Sequence, residues 1–253
     1  MHREALFALP ELAGCNEVLH LGQILGRALA RRIIRIDARS HVVAHTVPLP
    51  LQATATLRAV SSEDALREYL DKRDLDISGE PGGGEPGGRP RFVIQRHDAS
   101  SLHFDFRLEV DGVLKSWAVP KGPSTDPREK RLAVPTEDHP LDYIDFEGYI
   151  PSGQYGGGTV IVWDTGTYQN ITADGGEIVD MVTALDAGHV KVWLHGHKLT
   201  GGYALTRTRL GSDDDQWLLV KVDDSEADRR RAPADTQLGS VLSGRTNTDL
   251  EPP

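Results

Sequence analysis

The sequence predicts a mainly β protein, folded as a closed antiparallel β-barrel of about eight strands with one or two flanking helices. Short stretches rich in β-branched and aromatic residues recur between residues 89 and 222, and turn residues separate them. Asp111-Gly112 joins two of them as a tight hairpin. The predicted strands are Phe92–Gln95, Leu102–Val110, Val113–Val119, Thr159–Trp163, Val190–Leu194, Gly202–Arg207 and Trp217–Val222.

The chain divides into four parts. Residues 1–60 form an N-terminal extension to which we assign no role. Residues 61–88 comprise a short helix, capped by Ser61 and Asp64, and a flexible Gly/Pro-rich connector. Residues 89–222 form the barrel domain, and residues 223–253 form a polar, loosely ordered tail.

A helix is predicted between the later strands. Ile178, Met181, Val182 and Leu185 recur at helical spacing, and Gly188 follows as a C-terminal cap.

Composition restricts the location and partners of the protein. No apolar run is long enough to cross a bilayer, the first residues do not resemble a secretory signal, and Cys15 is the lone cysteine, so we expect a cytoplasmic protein with no membrane partner. Any metal must then be held by His, Asp or Glu.

The net charge of −10 disfavours a broad DNA-wrapping surface. Residues 89–131 contain nine Lys or Arg against six Asp or Glu, so this segment is mildly basic. A local pocket that binds the end of one DNA strand is therefore still possible.

The most informative segment is Leu102–Leu108, where apolar residues alternate with His103, Asp105 and Arg107. Successive side chains of a strand point to opposite faces, so the apolar residues face the core and the three polar groups share the other face. Two metal ligands beside a fixed cation suit a metal site that also holds an anion.

His97 extends this cluster. It follows an apolar strand and lies six residues before His103, so a short loop could return its imidazole toward His103 and Asp105. Two imidazoles and one carboxylate suit Mn, Fe, Co or Zn and leave positions open for substrate and water. The alternative is a surface residue at His97 and a hydrogen-bonded barrel histidine at His103.

Three further segments carry weaker signals. The run Glu137–Tyr143 is predicted to form a loop at the barrel rim, because His139 precedes a proline. Lys121 lies in a turn bounded by proline and glycine. Those residues would hold a lysine in place equally well in a functional site and in a surface turn without function. The Gly-rich run Gly153–Gly158 fits neither the dinucleotide fingerprint nor the phosphate loop of NTPases, and a tight turn before a strand is expected.

These segments closely resemble the 3'-phosphoesterase domain of bacterial DNA ligase D. The resemblance covers Arg91–Trp163 and extends to Tyr69–Pro81, Leu199–Val222 and Val241–Thr246. Its motifs are Gln95–Ala99, Leu102–Glu109, Lys115–Pro123, Glu137–Tyr143 and Gly153–Gly158. No ligase or polymerase module accompanies the domain, so a stand-alone version is expected.

The resemblance implies a manganese-dependent enzyme, with other divalent transition metals possible, that processes DNA 3' ends during end-joining repair. Such an enzyme removes a 3'-terminal ribonucleoside as a phosphodiesterase and then the 3'-phosphate as a phosphomonoesterase, leaving a hydroxyl. The implied metal ligands are His97, His103 and Asp105. Catalytic roles are implied for Arg107, His139, Glu137 and Tyr143, and substrate binding for Lys121, Arg131, Arg73, Asp74 and Glu80.

The implied partners are primer-template 3' ends that carry a ribonucleotide or a phosphate, together with a separate ligase, polymerase or Ku protein. A nucleoid-associated location follows. His139, if protonated, would donate to the phosphate or assist the leaving group. The chain departs from the common pattern at Ser78, Ser100-Ser101 and Phe104, which affects expected phosphate contacts rather than the proposed ligands.

Two other functions remain open at the level of sequence. His103, Asp105 and His139 also match the two-histidine, one-carboxylate pattern of barrel-shaped Fe(II) oxygenases, in which Arg107 would anchor a cosubstrate. The second alternative is a catalytically inert module that binds DNA ends.

Overall fold

A computed structural model describes residues 62–208 and 216–251. Its strands are β1 (Arg91–Asp98), β2 (Leu102–Val110), β3 (Val113–Val119), β4 (Lys130–His139), β5 (Gly148–Ile150), β6 (Gly158–Asn170), β7 (Ala173–Asp174), β8 (Glu177–Ile178), β9 (His189–Gly196), β10 (Thr200–Thr208) and β11 (Gln216–Lys221). Its helices are α1 (Ser62–Ala65), α2 (Arg67–Asp71), α3 (Leu75–Ser78), α4 (Met181–Ala187) and α5 (Pro233–Thr236), with 3-10 helices at Leu141–Asp145 and Asn247–Leu250.

The predicted closed barrel is confirmed. Eight strands pair antiparallel in the order β1-β2-β3-β4-β11-β10-β9-β6, and β6 pairs again with β1 to close the sheet. Strand β5 extends the sheet beside β6, while β7 and β8 form a separate hairpin. Closure leaves the eight barrel strands without free edges.

Two apolar clusters lie on opposite faces of the barrel wall. All eight barrel strands contribute to the larger cluster, which includes Phe106, Trp163 and Leu205 and therefore fills the interior. Full burial of a side chain such as Phe106 contributes about 1.5–3 kcal/mol. The smaller cluster joins Tyr69 of α2 and Tyr143 of the first 3-10 helix to outward residues of β1, β3 and β6. These segments thus cover the outer face from which His103, Asp105 and Arg107 project.

Strand β4 corrects the predicted rim loop. Glu137 and His139 lie on the last residues of β4, paired with β3, rather than in a loop. The sequence does not reveal this strand, because charged residues lie at both of its ends and Pro135 lies in its interior, where proline usually argues against a strand. Pairing with β11 ends at Ala133, so Pro135 lies where β4 contacts β3 alone. Strand β5 is also absent from the prediction.

The predicted helix between the later strands is confirmed as α4. Asp180 caps its N-terminus by accepting a hydrogen bond from the Thr183 amide, and Gly188 ends it in the left-handed region with φ of 78°. Ile178 lies outside the helix, exposed on β8. The earlier predicted helix appears as α1 and α2; its proposed cap, Ser61, and the extension of residues 1–60 lie outside the described residues.

The expectation of a loose C-terminal tail is wrong for residues 223–251. The Asn247 side chain is buried and donates to the carbonyls of Arg96 and Thr159. The Trp163 indole donates to the carbonyl of Gln237, at 2.6 Å. Polar groups of this segment form hydrogen bonds with groups of the barrel strands, and composition alone does not reveal such contacts.

Residues 79–88 contain no helix or strand, yet they are attached to the barrel at several points. The Tyr69 hydroxyl donates to the carbonyl of Pro81 at 2.7 Å, and the Gly87 amide donates to Glu109 at 3.0 Å. Within the described ranges, no helix combines the length and apolar character that crossing a membrane requires.

Candidate metal and phosphate site

The pairing of β1 with β2 brings the three predicted ligands together. His97 lies directly opposite His103, and Gln95 lies opposite Asp105. The ligand atoms of His97, His103 and Asp105 lie within 4.8 Å of one another. His97 Nδ1 is 3.5 Å from Asp105 Oδ2, and His103 Nε2 is 3.6 Å from Asp105 Oδ1. His97 reaches this position from β1 itself, not from a loop after the strand.

Backbone carbonyls orient both imidazoles. His97 Nε2 lies 2.8 Å from the carbonyl of Gly156, and His103 Nδ1 lies 2.9 Å from the carbonyl of Ser101. A carbonyl only accepts, so these nitrogens carry the protons and the opposite nitrogens present lone pairs toward Asp105. Carbonyl-oriented histidines of this kind are typical of metal ligands. The donor set fits a divalent transition metal with positions left open.

Asp105 is held as a carboxylate. Burial would raise its pKa, but the charge of Arg107 above all holds that pKa well below its usual range. Arg107 Nη2 donates to Asp105 at 3.0 Å. A negative ligand is therefore maintained at neutral pH.

Arg107 is fixed by side chains from three strands. Its Nε donates to Gln95 at 2.8 Å, and its Nη1 donates to the Ser116 hydroxyl at 2.9 Å. Its guanidinium lies 5.0 Å from the centre of the Tyr143 ring. With the bond to Asp105, three of five N–H groups are used, and two have no partner among the described residues. These two are available to an anion such as phosphate that accepts two hydrogen bonds.

His139 enters the site from the end of β4, where β4 carries one extra residue opposite Leu114–Ser116. Its Nδ1 lies 2.8 Å from the carbonyl of Glu137, and its Nε2 lies 3.3 Å from Arg73 Nη2. Burial, followed by the charges of Arg107 and Arg73, lowers the pKa of His139 well below 6.5. In this arrangement Nδ1 donates to the Glu137 carbonyl and Nε2 accepts from Arg73, and the protonated role considered from sequence stays a prediction.

The segment before the barrel completes the deeper end of the site. Arg73 donates to Glu80 at 3.0 Å and to Glu137 at 2.7 Å, and its side chain is 5% exposed. The Tyr143 hydroxyl donates to the same oxygen of Glu80 at 2.9 Å. Burial would raise the pKa of Glu137, and the hydrogen bond from Arg73 helps to lower it below its usual value.

Three predicted substrate-binding residues do not line this cavity. Asp74 is exposed at the start of α3, and Lys121 is exposed in the turn after β3. Arg131 lies on β4 opposite Leu219 and pairs with Glu129 at 2.5 Å. Their role in substrate binding stays a prediction.

Other residues of the site were missed from sequence. Gln95 is fully buried and shares the outward face of β1 with His97, so the alternation of β1 could have identified it. Ser116 lies opposite Arg107 on β3. Tyr155, from the Gly-rich run, lies with its hydroxyl 3.4 Å from Glu137 and its ring centre 5.0 Å from the Arg73 guanidinium.

The three candidate ligands, Arg107 and His139 line one cavity of about 210 Å³. It is lined by Arg73, Glu80, His97, Ala99, Ser100, His103, Asp105, Arg107, Ala118, Thr136, Glu137, His139, Tyr143, Ile150, Tyr155 and Gly156. The oxygenase alternative requires His139 as the third ligand. The structure places His97 in the ligand cluster instead and directs His139 toward Arg73, which argues against that alternative.

Fold and site together define an antiparallel β-barrel protein with a candidate metal and anion site on its outer wall. Residues 95–207 match the family model of the DNA ligase D 3'-phosphoesterase domain. The barrel therefore belongs to the DNA ligase D 3'-phosphoesterase domain family.

Known proteins support this assignment. The chain is 52% identical over 170 residues to the multifunctional non-homologous end joining protein LigD of Pseudomonas aeruginosa, covering 66% of this chain and 19% of that protein. It is 46% identical over 165 residues to the multifunctional non-homologous end joining DNA repair protein LigD of Mycobacterium tuberculosis, covering 63% and 20%. For LigD of Mycolicibacterium smegmatis the identity is 40% over 197 residues, covering 76% and 24%. The chain thus spans about a fifth to a quarter of the length of these relatives.

Proposed function

We propose that this protein is a manganese-dependent phosphoesterase that processes DNA 3' ends for end-joining repair. It removes a 3'-terminal ribonucleoside and then the exposed 3'-phosphate, leaving a 3'-hydroxyl. One observation carries the proposal: a two-histidine, one-carboxylate cluster shares a cavity with Arg107, and the two N–H groups of Arg107 that contact no described residue suit a phosphate. Membership in the 3'-phosphoesterase family supports the choice of phosphate as the anion.

His97, His103 and Asp105 would hold the metal. A divalent ion bound there offsets phosphate charge and lowers the pKa of a bound water. Manganese suits this mixed nitrogen and oxygen donor set, and other divalent transition metals would fit the same atoms.

The protein's own groups fix the phosphate beside these ligands. Arg107 presents its free N–H groups on the face of β2 that carries Asp105, so two phosphate oxygens are held in a set orientation. His139 lies across the cavity with its Nε2 lone pair toward Arg73. A phosphate that binds Arg73 in place of His139 would free Nε2 of His139. That nitrogen could then accept a proton from water or phosphate, because a nearby anion favours the imidazolium.

Both proposed steps are hydrolyses. In the first, water adds to phosphorus, the bond from phosphorus to the nucleoside O5' breaks, and O5' leaves with a proton, so the phosphate stays on the primer. In the second, water adds again, the bond to the primer O3' breaks, and inorganic phosphate is released. The phosphate therefore occupies the same position in both steps, and the leaving group is the nucleoside O5' in the first step and the primer O3' in the second.

The proposed substrates are primer-template DNA ends, and a separate ligase, polymerase or Ku protein would act on the same ends. The relatives are named as non-homologous end joining proteins, which supports this choice of substrate. A cytoplasmic, nucleoid-associated location follows from the proposed substrate.

The direct test uses a primer-template duplex that ends in one 3'-ribonucleotide, with Mn²⁺ present. The expected result is shortening to a 3'-phosphate and then to a 3'-hydroxyl, abolished by His103→Ala. His195→Ala is the matched control, because His195 is an exposed histidine on β9 outside the cavity. Binding of the duplex without cleavage by the wild-type protein would favour the inert module and reject the proposal.

A further inference from the structure

The catalytic cavity has two dissimilar ends. One end is enclosed by Arg73, Glu80, Glu137 and the ring of Tyr155. The other end continues into a second cavity of about 420 Å³. The two cavities share Ala99, Ser100 and Gly156 and therefore adjoin, and the metal-ligand candidates line the first of them.

The open end suits a polyanionic strand. Its lining consists of Ala99, Ser100, Ser152, Gly153, Gln154, Gly156 and Gly157, none of them charged. Ser100, Ser152 and Gly153 are exposed, so a long chain has room to leave the protein there. Small side chains also allow a sugar-phosphate backbone to approach the protein backbone closely.

The enclosed end does not suit a second phosphate. Arg73 already uses four of its five N–H groups, on Glu80, Glu137, the carbonyl of Tyr69 and His139. Two buried carboxylates, those of Glu80 and Glu137, would repel a phosphate, whereas they can accept hydrogen bonds from sugar hydroxyls.

Tyr155 supplies an aromatic wall at this enclosed end. Its side chain is 47% exposed although its ring lies near the cationic groups of Lys72 and Arg73, each 5.0 Å from the ring centre. Those cations and the hydroxyl contact with Glu137 hold the ring at the cavity edge. A half-exposed, held ring is the platform on which a nucleobase stacks.

We infer that the two ends receive the two halves of the substrate: the leaving 3'-terminal ribonucleoside stacks on Tyr155, and the retained primer strand leaves through the second cavity at Ser100. This inference rests on the proposed function and adds the direction in which the substrate lies. It makes Tyr155 a specificity-determining residue for the nucleoside step, since a primer that ends in a 3'-phosphate has no nucleoside to stack.

The test compares kcat/KM for two primers at saturating Mn²⁺, one ending in a single ribonucleotide and one ending in a 3'-phosphate. Tyr155→Ala should lower the ratio of the first value to the second about tenfold, the size of one base stacked on an aromatic ring. Tyr155→Phe keeps the ring and should keep most of the ratio, which separates stacking from loss of folding. Ile178→Ala is the surface control, because Ile178 is 63% exposed on β8 outside both cavities.

The open end is tested with Ser100→Glu against Ser100→Gln, which differ in charge and little in size. Ser100→Glu should raise KM for both primers several-fold, with the ratio unchanged and the effect reduced by salt. Equal losses on both primers from Tyr155→Ala, or a fall in the ratio alone from Ser100→Glu, would overturn the inference. Failure of the wild-type protein to cleave either primer would instead reject the proposed function.

Discussion

Arg107 Nη2 lies 3.0 Å from Asp105 Oδ2, two residues earlier on the same face of β2. The contact joins the candidate phosphate-binding cation to a candidate metal ligand. Gln95 on β1 and Ser116 on β3 hold the same guanidinium from either side. The pleat of three neighbouring strands therefore sets the position of a bound phosphate relative to the metal ligands.

Loss of Arg107 should remove phosphate binding. Arg107→Ala should lower the rate constant by about 10²–10³, the range observed when one donor to a developing negative charge is removed. Arg107→Lys should recover little of it, because one ammonium cannot reach Gln95, Ser116, Asp105 and two phosphate oxygens together. Steady-state rates on a 3'-phosphate primer measure this.

Arg128→Ala serves as the arginine control, since Arg128 is 67% exposed and contacts Asp126 outside the cavity. A loss with Arg128→Ala equal to that with Arg107→Ala would show that general charge, not the site, governs the rate.

The three ligands should bind one Mn²⁺ per protein. His97→Ala and Asp105→Asn should each weaken binding strongly, because each removes a lone pair or a negative charge from the cluster. Titration followed by electron paramagnetic resonance of free Mn²⁺ gives both stoichiometry and affinity. His189→Ala, at an exposed position of β9, should bind Mn²⁺ as the wild-type protein does. If Asp105→Asn bound Mn²⁺ as tightly as the wild-type protein, the metal would have to bind at a site other than His97, His103 and Asp105.

His139 should make the metal-free protein less stable in mild acid. Its folded-state pKa is lowered, first by burial and then by Arg107 and Arg73, while its unfolded-state pKa is about 6.5. The unfolded state therefore binds the proton more readily below that pH. This contribution to stability is present above pH of about 6.5 and is lost as the pH falls toward the folded-state pKa.

Urea unfolding between about pH 5.5 and 7.5 measures this dependence on either side of the ordinary histidine pKa. The free energy of unfolding should fall more steeply with acid in the wild-type protein than in His139→Asn. Parallel curves for the two proteins would contradict a depressed pKa at His139.

Asn247 should stabilise the fold through the barrel wall. Its side chain contacts both carbonyl groups of Arg96 and Thr159, and its removal would leave these buried acceptors without that donor. Asn247→Ala should cost about 2 kcal/mol, since an unsatisfied buried group costs roughly 1–3 kcal/mol. Urea midpoints measure it, with Leu242→Ala, 49% exposed, as the control. An equal, small effect of both changes would contradict the packed C-terminal segment.

The sequence predicted the parts of the site that depend on local geometry. Strand alternation alone placed His103, Asp105 and Arg107 on one face, because the pleat has a period of two. The same rule predicted the opposite apolar face, which fills the barrel. Its spacing from His103 made His97 a candidate third ligand, and resemblance to a known domain family added catalytic roles for His139 and Glu137, which lie on another strand.

Long-range packing accounts for what sequence did not predict. Arg73 reaches Glu137 across 64 positions, and no local pattern reveals such a contact. Strand β4 contains polar residues and Pro135 instead of the β-branched and aromatic residues that predict a strand. Lys121 and Arg131 were chosen by resemblance, and the fold places neither in the cavity lining.

The most direct test of the central claim is release of inorganic phosphate from a 3'-phosphate primer under nitrogen, with Mn²⁺ as the sole added metal. A hydrolytic site at His97, His103 and Asp105 predicts stoichiometric phosphate release by the wild-type protein and none by Asp105→Asn. Release that requires oxygen and Fe(II), or the same release from Asp105→Asn, would contradict the account.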